Sequence, residues 1–409
     1  MTRRLAVLAL GLALLTGGCW NRKETDELAL VSALGIDRLP DGGILVVAQI
    51  VKPAEVRAGV PTAVGSPRAV SLVSAAGPTV GAAVRGLAQV AGRRPFWAHA
   101  RVLVLGAEVA KSGLGDVLDW FFREREFRAR VWVAVTPGRA AEVIAAESDL
   151  EKIPAVAIDN MFRGRSILSF VPGTNLFRFL RDLATPGKDP LAAALLVVPR
   201  TALAGFSGHQ GASGSAEAVA GPPSPEKEKE ERRLYLGGSA LFRGESLVGW
   251  LDERETRGVL WTSGVRGLVV LSSPVVPGGR VSVEVLKARS SIEPRVAQGG
   301  VSFRVEVNLV AALAEQPSGV DLSSPETLAL VEDELEKTVS AEVLSALGKA
   351  KSLGADPFGL GFALFTRDPA AWRGLAPVWP EHLRSVPVAV EVSSRVIRTG
   401  LSLGAHRER

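Results

Sequence analysis

The chain has 409 residues, of which 47% are hydrophobic and 22% are charged, a mixture that is typical of folded domains and excludes wholesale disorder. Its formal net charge is only +5, with both signs interspersed, so the sequence does not predict a nucleic-acid-binding protein. The single cysteine excludes any disulfide within the chain, and the length indicates two or three domains stabilised by buried cores.

Residues 1–18 have the layout of a secretory signal peptide. Two arginines are followed by the apolar run Leu5 to Leu15 and by small residues before Cys19. The run is shorter than the roughly 20 apolar residues that a membrane-spanning helix needs. The segment resembles a bacterial lipobox, although Thr16 stands where that pattern prefers leucine. We therefore expect cleavage before Cys19 and a diacylglyceryl group on its thiol, which would anchor the mature chain to a membrane.

Two alternatives to lipid attachment stay open. Cys19 is either an ordinary buried thiol after a plain signal peptide, or it belongs to a signal anchor that is not removed. The absence of any other cysteine in the sequence favours the lipid, because an exposed free thiol outside the cell would be a liability.

Residues 19–204 alternate between strand and helix patterns. Short apolar runs predict strands at 44–51, 102–105, 131–135 and 191–198. Helical periodicity predicts helices at 80–91, 114–122 and 175–183. In the second of these helices, one buried face is expected from Leu114, Val117, Leu118, Phe121 and Phe122.

Residues 205–233 differ in composition from the rest of the mature chain. The segment begins with glycine, serine and alanine, contains three prolines between Gly221 and Pro225, and ends in a charged run. Almost nothing in it can be buried, so a flexible or extended linker is predicted. It separates an N-terminal region, 19–204, from a C-terminal α+β domain, 234–409.

The C-terminal region shows period-two strands on either side of a long amphipathic helix. Alternating apolar residues predict strands at 281–285, 301–309 and 388–392. Ser323 or Ser324 is expected to cap the helix, with Pro325 in its first turn and Glu326 in a capping box. Its apolar stripe is predicted to consist of Leu328, Val331, Leu335, Val339, Val343 and Leu347. Together the patterns indicate a multi-domain α+β protein, in which each domain is a mixed β-sheet flanked by α-helices.

Catalytic and metal-binding patterns are hard to find in this sequence. The four histidines, of which His99 lies just before a predicted strand, are too widely spaced for a metal site. No P-loop and no G-x-S-x-G motif occurs, and acidic pairs such as Asp252-Glu253 are interpreted as surface groups. We expect no catalytic residue, no metal and no cofactor. Core packing is expected for at least three of Trp250, Trp261, Trp372 and Trp379.

Several motifs of this sequence stand in an order that is typical of one protein family. The mature chain would open with Cys-Trp-Asn-Arg-Lys-Glu at 19–24, with Asn21 where that family usually has aspartate. Further motifs follow in the family's order: Leu28 to Asp37, His99 to Gly106, Gly115 to Asp119, Gly238 to Phe242, Leu247 to Leu251, Glu255 to Gly258 and Asp356 to Gly359, then Pro369, Trp372 and Trp379. Together these motifs resemble the Ger(x)C family, the lipoprotein C subunits of bacterial spore nutrient germinant receptors, and the resemblance covers nearly the whole mature chain.

What the resemblance implies is a role in spore germination at the spore inner membrane, with polytopic A and B receptor subunits as partners. It also implies three α/β domains without an enzyme active site. That adds one domain to the two that the linker suggests, with a boundary within residues 140–200, where Pro154, Pro172 and Pro186 interrupt the pattern.

The expected role is that of a tethered accessory subunit that supports receptor assembly by contact. Trp20, Asn21, Arg22 and Glu24 are the candidate contact with the membrane or with partner subunits; alternatively they only space the folded region from the bilayer. The rival interpretation is a solute-binding lipoprotein that delivers a small ligand to a membrane transporter. Such a protein has two lobes joined by a hinge, a geometry for which 205–233 is poorly suited.

Overall fold

The computed structural model describes residues 27–57, 69–148, 150–165, 169–199, 232–273, 279–298, 300–316, 322 and 324–398. These residues form two mixed β-sheets covered by helices, which confirms the predicted α+β class.

The first sheet contains the first nine strands of the described chain. They are β1 (Leu28–Arg38), β2 (Ile44–Val51), β3 (Val70–Gly77), β4 (Arg94–Phe96), β5 (Val102–Gly106), β6 (Trp132–Thr136), β7 (Leu191–Pro199), β8 (Arg232–Arg243) and β9 (Ser246–Leu251). Their order is β3-β2-β1-β5-β6-β7-β8-β9, and β4 lies beside the start of β1. The central strands β1, β5, β6 and β7 are parallel, and the outer strands are antiparallel to their neighbours. We call the side on which the parallel strands begin the amino edge, and the opposite side the carboxyl edge.

Helices cover both faces of this sheet. They are α1 (Pro53–Arg57), α2 (Val80–Ala91), α3 (Ala107–Lys111), α4 (Gly115–Arg123), α5 (Ala140–Ala145), α6 (Pro154–Arg163) and α7 (Leu176–Ala184), with a short 3-10 helix at Trp97–His99. One core packs α2, α4 and α7 against alternate residues of β1, β5 and β6. The other core lies on the opposite face of the sheet. It packs α5 and α6 against the intervening residues of the same strands. The predicted strands and helices of this region are present, two of them (β2 and α2) with the bounds that the sequence indicated.

One residue of the predicted α4 face was assigned wrongly. Phe121 is buried, whereas Phe122 is 68% exposed. Successive residues of an α-helix point about 100° apart, so neighbours at the border of an apolar stripe do not both face the core.

The second sheet has the order β10-β11-β12-β13. Its strands are β10 (Gly267–Ser272), β11 (Arg280–Ala297), β12 (Gly300–Glu315) and β13 (Val388–Arg398). The helices of this half are α8 (Glu253–Trp261), α9 (Pro325–Leu353), α10 (Leu360–Arg367), α11 (Pro369–Leu375) and α12 (Trp379–Leu383), with a 3-10 turn at Ala376–Val378. The predicted stripe of α9 faces the core, with Leu328 partly buried and the other five residues buried.

The capping box predicted for α9 was wrong. Ser324 is the N-cap and accepts a hydrogen bond from the amide of Thr327, so Thr327, not Glu326, occupies the third helical position. A capping box instead begins α8, where Asp252 and Glu255 bond each other's backbone amides.

Residues 200–231 connect two neighbouring strands of the first sheet. Pro199, at the end of β7, is paired with Arg232, at the start of β8. Arg232 and Arg233, the last residues of the predicted linker, therefore lie in a strand, and β8 and β9 belong to the first sheet although they follow that linker. The division of the chain into domains stays a prediction.

Candidate functional site

The residues that the sequence proposed as the attachment and contact site lie outside the described residues; they are Cys19, Trp20, Asn21, Arg22 and Glu24. The described chain begins at Glu27, and β1 starts at Leu28 on the amino edge. Among the described residues no three histidine, cysteine or acidic side chains cluster as metal ligands, and no helix is long and apolar enough to cross a bilayer.

At the carboxyl edge, Asp37 near the end of β1 bonds the start of α5. Open α/β sheets usually bind ligands in this position. Here the buried Asp37 carboxylate accepts hydrogen bonds from the backbone amides of Ala140 (2.7 Å) and Ala141 (2.9 Å), at the start of α5. A side chain at Gly106 would place its Cβ 2.1 Å from Asp37 Oδ1, so only glycine fits there. The aspartate of the Leu28 to Asp37 motif thus joins α5 to β1.

Buried Gln49 holds two helices, α5 and α6, against the same sheet. Its side-chain oxygen accepts from Ser32 Oγ (3.0 Å) and from the amide of Ala155 (3.1 Å). Its side-chain nitrogen donates to the carbonyl of Ile144 (3.3 Å). Gln49 therefore fixes the end of α5 and the start of α6, beside a cleft of about 350 Å³.

A basic cleft of about 480 Å³ opens at the amino edge, in front of β5 and β6. Arg101, Arg128, Arg130 and Arg163 line it, together with the carboxylate of Asp159. Arg128 and Arg130 are exposed, and neither guanidinium has a carboxylate partner within the described part of the chain.

The Asp159 carboxylate organises the wall of this cleft. It accepts hydrogen bonds from Arg101 Nη1 (2.6 Å) and Trp132 Nε1 (2.9 Å), and Arg163 Nε lies 3.2 Å away. Burial raises its pKa, but the hydrogen bonds from Arg163, Trp132 and Arg101 outweigh burial, so the pKa of Asp159 lies below its usual value. The ring of Trp132 stacks on Phe162 at 4.9 Å, and Arg165 lies 5.2 Å above the Trp132 ring.

Buried Asp356 and partly buried Asp189 connect the loop between α9 and α10 to the start of β7. Asp356 accepts backbone hydrogen bonds from Gly359 (2.8 Å), Leu360 (3.0 Å) and Gly361 (2.8 Å), and Trp379 Nε1 donates to it at 3.2 Å. Asp189, just before β7, accepts from the amides of Asp356 and Gly244, each at 2.7 Å.

Burial dominates the acidity of this pair. It raises the pKa of Asp356 to about 6, and the nearby charge of Asp189 adds to the increase. Burial likewise raises the pKa of Asp189. The Asp356 to Gly359 motif is therefore a turn held by its own carboxylate.

Between α8 and α9 lies a buried ion pair. Arg257 Nε donates to Glu342 Oε2 at 2.9 Å, a second Arg257 nitrogen contacts the other oxygen, and Trp261 Nε1 donates to Oε2 at 2.8 Å. The side chains of Arg257 and Glu342 are 11% and 1% exposed. Gly258 lets the helices touch, since a Cβ there would lie 2.2 Å from the Glu342 carbonyl oxygen. These contacts account for the Glu255 to Gly258 motif.

The structure shows the surroundings of three tryptophans, one glutamate and one histidine that the sequence singled out. Trp261, Trp372 and Trp379 are buried, as predicted. Glu253 was interpreted as a surface group, but it is partly buried against Tyr235, and burial together with the Glu253 carboxylate raises the pKa of the Tyr235 phenol. His99 is exposed and lies beside Phe96, with ring centroids 5.5 Å apart.

Sequence reasoning missed the arginines of the amino edge. They come from three separate stretches of the chain, and only the fold brings them together. The one local signal was the spacing of Arg125, Arg128 and Arg130 directly before the predicted strand at 131–135.

The fold and these clusters define a two-sheet α+β protein in which motif residues such as Asp37, Arg257 and Asp356 join structural elements. A family profile described as "Spore germination protein N-terminal domain" matches residues 21–196, and one described as "Spore germination B3/ GerAC like, C-terminal" matches residues 237–400. Together they cover most of the chain. It belongs to the Ger(x)C family of spore germination proteins.

Individual relatives agree with this assignment over nearly full length. Spore germination protein KC of Bacillus subtilis (strain 168) is 26% identical over 404 residues, covering 97% of this chain and 96% of the relative. Spore germination protein B3 of the same organism is 23% identical over 390 residues, covering 94% of each chain. The crystal structure of the GerBC protein superposes with a TM-score of 0.54 at 18% identity, covering 89% of this chain and 96% of that one, which supports the fold.

Proposed function

We propose that this protein is a membrane-anchored lipoprotein subunit of a nutrient germinant receptor, which supports receptor assembly and spore germination by protein–protein contact and performs no catalysis. The observation that carries the proposal is the presence of both family domains, in order, along nearly the whole mature chain. The arrangement of the buried polar groups agrees with it. Asp37, Asp356 and Glu342 have backbone amides or side chains as partners and serve to hold elements together.

Attachment to the membrane is assigned to Cys19. The signal-peptide layout before it and the lack of any other cysteine support this assignment. Mass spectrometry of the mature protein tests it: we expect an N-terminal Cys19 with a diacylglyceryl thioether. A mature chain with a free thiol would contradict the anchor. Cys19→Ala should leave the leader uncut and the protein absent from the lipid-modified fraction.

The partners are assigned as polytopic A and B receptor subunits at the spore inner membrane. A purification tag after residue 409 avoids the modified N-terminus. Affinity purification from spore inner membranes should recover both polytopic subunits, and spores that lack this protein should fail to respond to a nutrient germinant. Recovery of neither subunit from membranes that contain the tagged chain would refute the assignment.

Trp20, Asn21, Arg22 and Glu24 are proposed as the contact next to the anchor. A triple variant in which Trp20, Arg22 and Glu24 are each replaced by serine, while Cys19 is kept, distinguishes a segment that contacts the partners from one that is only a spacer. Reduced recovery of partner subunits with normal lipid attachment would support contact; unchanged recovery would show that the segment is a spacer. Isothermal titration with amino acids and sugars tests the solute-binding alternative, which tight binding would favour.

A further inference from the structure

Four large apolar side chains of the described chain are more exposed than all the others. Val90 is 66% exposed, Phe122 68%, Leu150 94% and Phe177 61%, whereas every other large apolar side chain of the described residues is at most 50% exposed. Scattered exposed apolar residues need no explanation, but side chains of this exposure along one edge of a sheet do.

All four side chains are carried by segments that reach the amino edge. Val90 is near the end of α2, which leads into β4 beside the start of β1. Phe122 is near the end of α4, which crosses over from β5 to the parallel strand β6 and therefore ends where β6 begins. The amide of Phe177 donates to the carbonyl of Ala129, in the loop before β6.

Leu150 lies between α5 and α6, whose facing ends are both held by Gln49. Gln49 is paired with Ala33, and Ala33 is paired with Val102, the first residue of β5. Leu150 is therefore carried at the level at which the parallel strands begin.

Positive charge lies beside Phe177 and along the cleft of the amino edge. Arg128 and Arg130 flank Ala129, whose carbonyl holds the amide of Phe177. Arg101 and Arg163 face the same cleft and are 44% and 68% exposed, although both contact Asp159. Two of the carboxylates beside the cleft have arginine partners: Asp159 contacts Arg101 and Arg163, and Glu126 pairs with Arg94 at 2.7 Å. Acidic residues, not arginines, flank Leu150 in the sequence, so Leu150 is not part of this basic surface.

We propose that the amino edge is a membrane-facing surface that rests on anionic phospholipid headgroups, with Phe122, Phe177 and Val90 in the interfacial layer. Aromatic and aliphatic side chains among arginines are the composition of interfacial membrane contacts, and arginines are attracted to anionic lipids. This inference rests on the proposed lipid at Cys19.

The length of chain between Cys19 and β1 agrees with an amino edge that faces the membrane. Glu27 is eight residues after Cys19, and eight residues span at most about 29 Å. Because β1 starts at the amino edge, a lipid at Cys19 would hold this edge, rather than the carboxyl edge, nearest to the bilayer.

A site-directed fluorophore on the full mature lipoprotein tests the orientation. Since Cys19 is the only cysteine, Phe177→Cys takes one environment-sensitive label when Cys19 carries lipid, and two labels when it does not. Ser112→Cys is the matched control, because Ser112 accepts a hydrogen bond from Arg38 at the end of β1, on the carboxyl edge. Both variants are placed in vesicles of phosphatidylcholine with or without phosphatidylglycerol, some of which carry a quencher on the lipid chain.

With one label per chain, the label at position 177 should shift to the blue and be quenched in vesicles that contain phosphatidylglycerol, while the label at 112 should stay in water. Adding Arg128→Glu and Arg130→Glu to Phe177→Cys should lower the quenching by about half or more. Removing phosphatidylglycerol should have the same effect, and unchanged urea midpoints would show that the fold is intact.

A water-exposed label at 177 in anionic vesicles, with one label per chain, overturns the proposal and leaves the anchor intact. If that label becomes shielded only in membranes that contain the polytopic subunits, the surface contacts protein instead of lipid, and the proposal fails in that case too. Two labels per chain would show that Cys19 is unmodified, which refutes the anchor and with it the basis for this orientation.

Discussion

The buried ion pair between Arg257 and Glu342 holds the helices α8 and α9 together. Both charges are withdrawn from water, so their attraction largely offsets a desolvation cost. Trp261 adds a third donor to the same carboxylate. The pair therefore matters most when one partner is removed, because the other is then left buried without compensation.

We expect Glu342→Ala to lower the free energy of unfolding by about 3–5 kcal/mol, since it leaves the Arg257 guanidinium buried and unpaired. Urea unfolding followed by tryptophan fluorescence measures the change. Lys337→Ala is the control on the same helix, because the Lys337–Asp333 pair is 65% and 58% exposed and should contribute little to stability. The double variant Arg257→Met/Glu342→Leu should recover part of the loss; equal losses in the single and double variants would contradict the explanation.

The Asp356 carboxyl should make stability depend on pH. Its folded-state pKa of about 6 lies above the usual aspartate pKa of 3.8, so the folded protein holds this proton more tightly than the unfolded chain. The resulting stabilisation is present below about pH 4 and is lost as pH rises to about 6, with a slope of at most about 1.4 kcal/mol per pH unit.

Asp356→Asn removes that titration. The free energy of unfolding of the wild type should therefore fall relative to that of the variant as the pH rises from 4 to 6. The difference between the two should stay constant above about pH 7. Urea unfolding at several pH values measures it. A difference that is constant over the whole range, or that moves the opposite way, would show that the hydrogen bonds from Gly359 and Gly361 outweigh burial.

At the scale of elements, two glycines in helices predict opposite effects of the same substitution. Gly258→Ala would push a Cβ to within 2.2 Å of the Glu342 carbonyl oxygen, so α8 and α9 must separate and about 1–3 kcal/mol or more of stability is lost. Gly348→Ala, inside α9, meets nothing within 4 Å and should gain about 0.5–1 kcal/mol from helix propensity. Thermal unfolding of the two variants compares them directly. Loss of stability in both would mean that α9 is packed on the side that carries Gly348.

Local patterns predicted most elements but not their exact limits or caps. β2 and α2 have bounds that follow from apolar periodicity, because each has a buried face of regular spacing. Phe122 was misplaced because an apolar residue at the border of a stripe reads as core in a sequence. The cap of α9 was ambiguous because Ser323 and Ser324 are chemically equal, and choosing between them decides which residue takes the third position.

At the scale of the whole molecule, the arrangement depends on contacts that no local pattern contains. β8 and β9 follow a segment of linker-like composition, yet they pair with β7 and extend the first sheet. Leu191, Leu241 and Leu251 of these strands also belong to the core of the second sheet. Pairing across more than 30 residues, like the gathering of arginines at the amino edge, is decided by tertiary packing and could not be read from the sequence.

The hairpin of β7 and β8 leads to a prediction for the entire chain. Because Pro199 and Arg232 are paired, residues 200–231 can be replaced by Asn-Gly, a dipeptide that closes two-residue hairpins. Replacing residues 200–231 by two residues halves the length of the connection about four times. Because each halving lowers the entropic cost of closing the loop, the total gain is roughly 2 kcal/mol, and the free energy of unfolding should rise by up to that amount. A Gly/Ser segment of the original length is the control and should leave stability nearly unchanged. Urea unfolding measures both variants; lower stability with Asn-Gly would show that residues 200–231 contribute contacts that the fold needs, whereas a gain would show that they only join the two strands.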